Sequence, residues 1–146
     1  MDLGHDRAGD MKRLSESVED YLEAILVLSK EGGVVRSIDI ANELEFSKPS
    51  VSVAMKNLRE GGYIVIDDSG HITLTKSGEE IAQRVYERHR MISDWLIYLG
   101  VDEKTALRDA CKMEHGMSEV SYLALKKHIE EWQSKRKNKE DKHGAD

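Results

Sequence analysis

A mainly α-helical fold with one small β-hairpin is expected from three observations. Apolar residues recur at helical spacing in six segments. Two short β-rich runs flank a glycine-containing turn. Glycines fall just after the helical patterns at Gly32-Gly33, Gly61-Gly62, Gly100 and Gly116, where helices stop.

The first helix spans Ser15–Lys30, with Val18, Tyr21, Leu22, Ile25, Leu26 and Leu28 at helical spacing and Ser15 or Ser17 as cap. A second reads from Ser37, the expected N-cap, to Leu44, with Ile38, Ala41 and Leu44 on one face. A third reads from Lys48 to Glu60 behind Ser47. Pro49, the only proline, sits in its first turn, where a missing N–H costs nothing. Val51, Met55 and Leu58 face inward. Tyr63–Ile66 and His71–Leu74 form the hairpin around Asp67-Asp68-Ser69-Gly70, with His71 facing solvent. From Lys76 a long helix, capped by Thr75, carries Ile81, Val85, Ile92, Leu96 and Leu99. Asp102 caps a helix to His115, and Ser118 caps a last one through Trp132.

Three helices and a hairpin, with a short turn between the second and third helices, is the order of a winged helix-turn-helix, although other small α+β domains share it. The expected organisation is therefore a winged helix-turn-helix over residues 1–75, a helical domain over 76–133, and a charged, disordered tail over 134–146 that lacks any aliphatic residue larger than alanine.

The chain has 146 residues with 28 acids and 22 bases, so its net charge is −6. Residues 1–75 hold 14 acids and 8 bases and carry all of it, since the rest holds 14 of each. Phosphate attraction is electrostatic, so this balance by itself argues against nucleic acid. No apolar run is long enough to span a membrane, and no secretory leader is visible at the N-terminus. A single cysteine, Cys111, excludes an internal disulfide and fits a reducing cytoplasm.

Two constellations carry chemistry. The segment Ser47–Arg59 has three bases and no acid, against the trend of its domain. Ser47, Ser50 and Ser52 are short donors for phosphates or base edges. Lys48, Lys56 and Arg59 could reach the backbone, and the helix N-terminus around Pro49 adds free N–H groups. The serines also read as caps and the bases as solvated residues; the whole segment, after a turn and before a hairpin, favours DNA reading. The acidic wing tip is unsuited to close phosphate contact.

Cys111, Glu114 and His115 stand at i, i+3 and i+4 on one helix face, a thiol, a carboxylate and an imidazole that suit a transition metal. A buried thiol beside a surface Glu-His pair gives the same pattern. Asp20 and Glu23, at i and i+3, interrupt an apolar face of the first helix, and His89 lies beside the inward stripe of the long helix. No hydrolase triad, phosphate-cradling loop or separate general base competes for these residues, so no enzyme is expected.

Through Val18–Glu23, Ser47–Ser52, Arg88-His89-Arg90 and Asp109–Ser118, the chain resembles the diphtheria toxin repressor family of metal-dependent transcriptional repressors, over about residues 14–132. The resemblance extends to its short manganese-responsive branch. It implies a homodimer with an N-terminal winged helix, a helical dimerisation domain, and metal bound between the two. Asp20, Glu23, His89, Glu114 and His115 match the manganese-type ligands. Cys111 stands where that branch has Glu and the iron branch has Cys, while Asp20 stands where the iron branch has Met. Ser93 and Leu107 replace the ancillary ligands of the iron type. This hybrid set implies Fe²⁺ slightly ahead of Mn²⁺, with Zn²⁺ or Co²⁺ binding in vitro, and leaves one or two ions per subunit open. Operator DNA controlling metal uptake is the implied partner, and Trp95, Tyr98, Leu99, Leu123 and Trp132 supply either dimer contacts or intramolecular core. The alternative is a winged-helix regulator that senses redox state through Cys111.

Overall fold

The computed structural model describes residues 15–144. Among them are six helices and one hairpin: α1 (Glu16–Lys30), α2 (Ser37–Leu44), α3 (Lys48–Glu60), β1 (Ile64–Ile66), β2 (Ile72–Leu74), α4 (Lys76–Tyr98), α5 (Glu103–Gly116) and α6 (Glu119–Gly144). They form two compact units, one up to Tyr86 and one from Glu87. The sequence divides the chain at 75/76 instead. The difference arises because Ile81, Ala82 and Tyr86, in the first half of α4, pack into the core of the first unit.

In that unit α1 is capped by Ser15, whose Oγ accepts from Val18 N at 3.3 Å. Its apolar stripe buries Tyr21, Leu22, Ile25 and Leu26. The N-cap of α2 lies one residue earlier than expected. Arg36 is the N-cap, and its N–H donates to Asp39 Oδ2 at 2.9 Å, so Ser37 is already helical. Ile40 and Ala41 face the core, and Ile38 is exposed. Glu45, at φ 57°, ends α2 in the left-handed region and turns the chain into α3. Phe46 in that turn meets Tyr21 edge-on, with ring centroids 5.7 Å apart.

α3 buries Val51, Met55 and Leu58 as expected, and Ser47 Oγ accepts from Ser50 N at 3.3 Å. The strands pair antiparallel, Ile64 with Leu74 and Ile66 with Ile72, which turns Ile64 and Ile72 inward and Val65 outward. Ile72 N also donates to Val35 O at 2.8 Å and ties the hairpin to the approach to α2. Three helices and this wing surround one core, which is the winged helix-turn-helix the sequence predicts. Thr75 closes the unit: its N–H donates to Tyr63 O at 3.0 Å, its hydroxyl to Gly62 O at 2.7 Å, and its Oγ1 accepts from Gly78 N at 3.2 Å.

The second unit packs the second half of α4 with α5 and α6 around Ile92, Ala106, Ala110, Tyr122 and Ile129. Arg88 is buried with its guanidinium 4.3 Å from the Tyr122 ring centroid and Nη1 3.5 Å from Glu119 Oε2, so it pins α4 to α6. Trp95, Tyr98 and Trp132 cluster within the same chain, with ring centroids 4.3–5.9 Å apart. Three of the five residues expected as dimer contacts or core therefore pack on one another, while Leu99 and Leu123 are exposed.

The last helix departs from expectation. It continues past Trp132 to Gly144, through most of the segment expected to be disordered. Lys, Arg and Glu are good helix formers, and Arg136 Nε donates to Glu140 Oε1 at 3.2 Å one turn on. The Arg136 guanidinium also lies 4.7 Å from the Tyr98 ring centroid, an anchor at the start of the charged stretch. Residues 145 and 146 of the expected tail lie outside the described residues, as do residues 1–14.

Candidate metal centre and nucleic-acid interface

Four of the six expected ligands belong to the second unit. α4 carries His89, and α5 carries Cys111, Glu114 and His115, with Glu114 and His115 both buried. The helical period brings Cys111 and His115 together, with ligand atoms within 4.8 Å of one another. Between the two helices His89 Nδ1 lies 3.9 Å from Glu114 Oε2.

The other nitrogen of His89 defines its tautomer. Nε2 lies 3.1 Å from the Leu107 carbonyl, which can only accept, so Nε2 carries the proton and donates it. In the neutral ring the lone pair is then on Nδ1, the atom facing Glu114. A metal-ligating imidazole is oriented in this way, its distal N–H held by a backbone carbonyl. Imidazole, thiol and carboxylate donors on two packed helices fit a divalent transition ion.

Asp20 and Glu23 belong to the first unit, on α1, and both are half-buried. Burial, and after it the neighbouring Asp20 carboxylate, push the Tyr21 phenol above its ordinary value.

α5 depends on its first turn. Asp102 Oδ2 accepts from Thr105 N at 3.0 Å, and this bond, with a further one from the Thr105 side chain, holds the Asp102 carboxyl below the usual range. The folded pKa is below the unfolded one, so the unfolded chain binds the proton more readily. The cap's contribution is complete above the unfolded Asp value of about 3.9 and is lost as pH falls through the folded value. Asp102→Asn keeps an acceptor but removes the titration. Its melting temperature is expected to fall less steeply than that of the parent between about pH 4.5 and pH 2. Equal slopes would show that this cap is not a source of acid sensitivity.

The expected DNA-reading residues all lie on the exposed side of α3 or at its start: Ser47, Lys48, Pro49, Ser50, Ser52, Lys56 and Arg59. Ser47 and Ser50 are partly occupied by each other, their hydroxyls 2.8 Å apart, and so hold the helix start. Ser52, Lys56 and Arg59 project from the helix body. At the wing, Asp67 Oδ1 accepts from Ser69 N at 2.9 Å and His71 N at 2.8 Å, which lowers its carboxyl below the usual range. His71 does not stand free in solvent as expected. It is half-buried, with Nδ1 3.2 Å from Asp67 Oδ2 and Nε2 3.0 Å from Arg36 Nη2, and it links the wing to the start of α2.

Residues 13–72 match the family model described as the iron-dependent repressor N-terminal DNA-binding domain. Residues 75–143 match its metal-binding and dimerisation domain. The chain belongs to the iron-dependent repressor family. An uncharacterized HTH-type transcriptional regulator of Methanocaldococcus jannaschii is 36% identical over 124 residues, covering 84% of this chain and 99% of the relative. The transcriptional regulator MntR of Escherichia coli O157:H7 is 38% identical over 111 residues, covering 76% and 72% respectively. Among solved structures, the manganese regulator SloR superposes with a TM-score of 0.68 at 30% identity over 77% of this chain. The chain covers 53% of SloR, so it spans about half the length of that solved relative.

As an iron-dependent repressor the chain is a metal-dependent transcriptional regulator with a DNA-binding and a dimerisation domain. The alternative of a redox sensor acting through Cys111 draws no support from these relatives. Among the described residues, no helix is long and apolar enough to cross a membrane. One contributor has no sequence signature. The Leu107 carbonyl that orients His89 is backbone and leaves no side-chain signal.

Proposed function

We propose that this iron-dependent repressor binds operator DNA as a cytoplasmic homodimer when a divalent transition ion is held by Asp20, Glu23, His89, Cys111, Glu114 and His115, and that it thereby represses metal-uptake genes. The observation that carries the reading is the pairing of His89 with Glu114, His89 being fixed by the Leu107 carbonyl in the tautomer a ligand needs. A bound ion supplies two positive charges and directional coordination.

The chain's own residues do the rest. Asp20, Glu23 and Glu114 bring three carboxylates to the ligand set, and their mutual repulsion opposes assembly of the set without a cation. With the set assembled, α1 is tied to the helices that carry His89 and Cys111. That linkage favours one spacing of the two α3 helices across the dimer, and half-sites about one helical turn apart admit both only at the right spacing. The device works by differential affinity for two conformations. Because Cys111 offers a sulfur ligand among carboxylates, we assign Fe²⁺ a slight preference over Mn²⁺, with Zn²⁺ and Co²⁺ able to bind in vitro. SloR is a manganese regulator, which keeps Mn²⁺ close behind. No catalytic role is proposed.

The test is retention of a promoter fragment by the purified protein with anaerobic Fe²⁺, Mn²⁺, Zn²⁺, Co²⁺ or a chelator. Retention is expected with Fe²⁺ and Mn²⁺ and loss with chelator. Equal retention under every condition would overturn the proposal.

A further inference from the structure

Val53 is the one large apolar side chain on the outward side of α3, and it is 61% exposed. The core-facing residues of the helix are Val51, Met55 and Leu58, so Val53 lies outside the core. A β-branched residue is also disfavoured in a helix relative to alanine. Folding therefore gives no reason for a valine here. Its surroundings on the helix are short or cationic: Ser50, Ser52, Lys56 and Asn57, all exposed. An isolated aliphatic group among short polar side chains and lysine is too small for a protein-docking patch, and it matches the major-groove edge of an A·T pair. There the 5-methyl group of thymine is the one apolar feature among hydrogen-bonding groups.

We propose that Val53 reads a thymine methyl group in each half-site of the operator and is a specificity-determining residue. This rests on the DNA-binding reading of α3 and deepens it, by separating Val53, which selects sequence, from Lys56 and Arg59, which serve phosphate contact and bind without regard to sequence. The contact is van der Waals burial of a methyl group, so it is lost when that methyl is removed and every hydrogen-bonding group is kept.

The experiment uses the full chain loaded with Mn²⁺ and a duplex site enriched from a random-sequence pool. Each thymine in the site is then replaced singly by uracil, which removes only the methyl group. At one position per half-site the parent protein is expected to lose about fourfold in affinity, the worth of one buried methyl-sized group. Val53→Ala should bind the thymine and uracil duplexes equally. This variant sits at an exposed helical position and gains helix propensity, so its folding is not at risk. Uracil replacement without effect at every position, or full thymine preference retained in Val53→Ala, overturns the proposal. If thymine and uracil then bind alike while Lys56→Ala still weakens every duplex, the DNA-binding reading stands and only the role of Val53 falls. If the parent enriches no sequence and retains no duplex, both fall. A weakened dimer in Val53→Ala with an unchanged thymine preference would assign the side chain to a protein contact instead.

Discussion

Glu114→Ala is expected to abolish metal-stimulated DNA retention while leaving the metal-free protein folded. Glu114 is 3% exposed, and a bound cation would favour the charged form of a carboxylate so far from water. It lies on α5 beside the Nδ1 atom of His89, the ring atom left with the lone pair. Removing the carboxylate deletes one proposed ligand and the group facing another, so affinity for the ion should fall at least a hundredfold, more than the loss typical of a supporting residue. Two readouts separate a ligand from a merely structural residue. In chelator, the variant should still melt cooperatively, and that melting temperature is the baseline from which its metal-induced shift is read. With Mn²⁺ at about a hundred times its parent dissociation constant, the parent should gain about 2.7 kcal/mol and the variant a small fraction of that. Glu114→Gln keeps the volume and should fail in the same way, which isolates charge from packing. A variant that keeps the full metal-induced shift would remove Glu114 from the site, and with it the observation on which the proposed function stands.

That Cys111, Glu114 and His115 share a face of α5 was legible in the sequence because they are local, and helical geometry alone aligns them. What orients His89 was not, since a carbonyl at Leu107 can belong to any residue type. The same distinction runs through the fold. The inward residues of α1 and α3 follow from periodicity, and their caps from serines at the right place. At α2 the expected cap was Ser37, and the Asp39 carboxylate reaching back to the Arg36 N–H moved the cap one residue earlier. The Arg36–His71 link joins residues 35 positions apart and has no sequence signature. The far end of α6 was missed for another reason. A segment polar on every face gives no periodic signal, and its helix rests on propensity, on the Arg136–Glu140 ion pair, and on Arg136 over the aromatic cluster.

Gly78→Ala sets helix propensity against a close approach of two backbones, and the close approach is expected to win. In an open helix the change would stabilise by about 1 kcal/mol. At Gly78, in the first turn of α4, an added Cβ would lie 2.0 Å from the Tyr63 carbonyl oxygen and 3.0 Å from its carbon. Ordinary contact begins at 3.4 Å, so α4 and the start of the hairpin would have to separate by about 1.4 Å. No flexible side chain can absorb that, because the obstacle is backbone. Nor can the carbonyl rotate away without loss, since it accepts from Thr75 N at 3.0 Å. Overpacking of this kind costs about 3 kcal/mol, which leaves the variant about 2 kcal/mol less stable after the propensity gain. For a domain of this size the melting temperature should drop by roughly 10 °C. Gly116→Ala is the control: it too lies in a helix, but nothing stands within 4 Å of its added Cβ, so it should be neutral or slightly stabilising. Because Tyr63 leads directly into β1, the damage in Gly78→Ala should centre on the hairpin and show as faster hydrogen exchange at the Thr75 and Ile72 amides. A Gly78→Ala protein as stable as the parent, with those amides still protected, would mean that α4 and the wing are not joined by this contact.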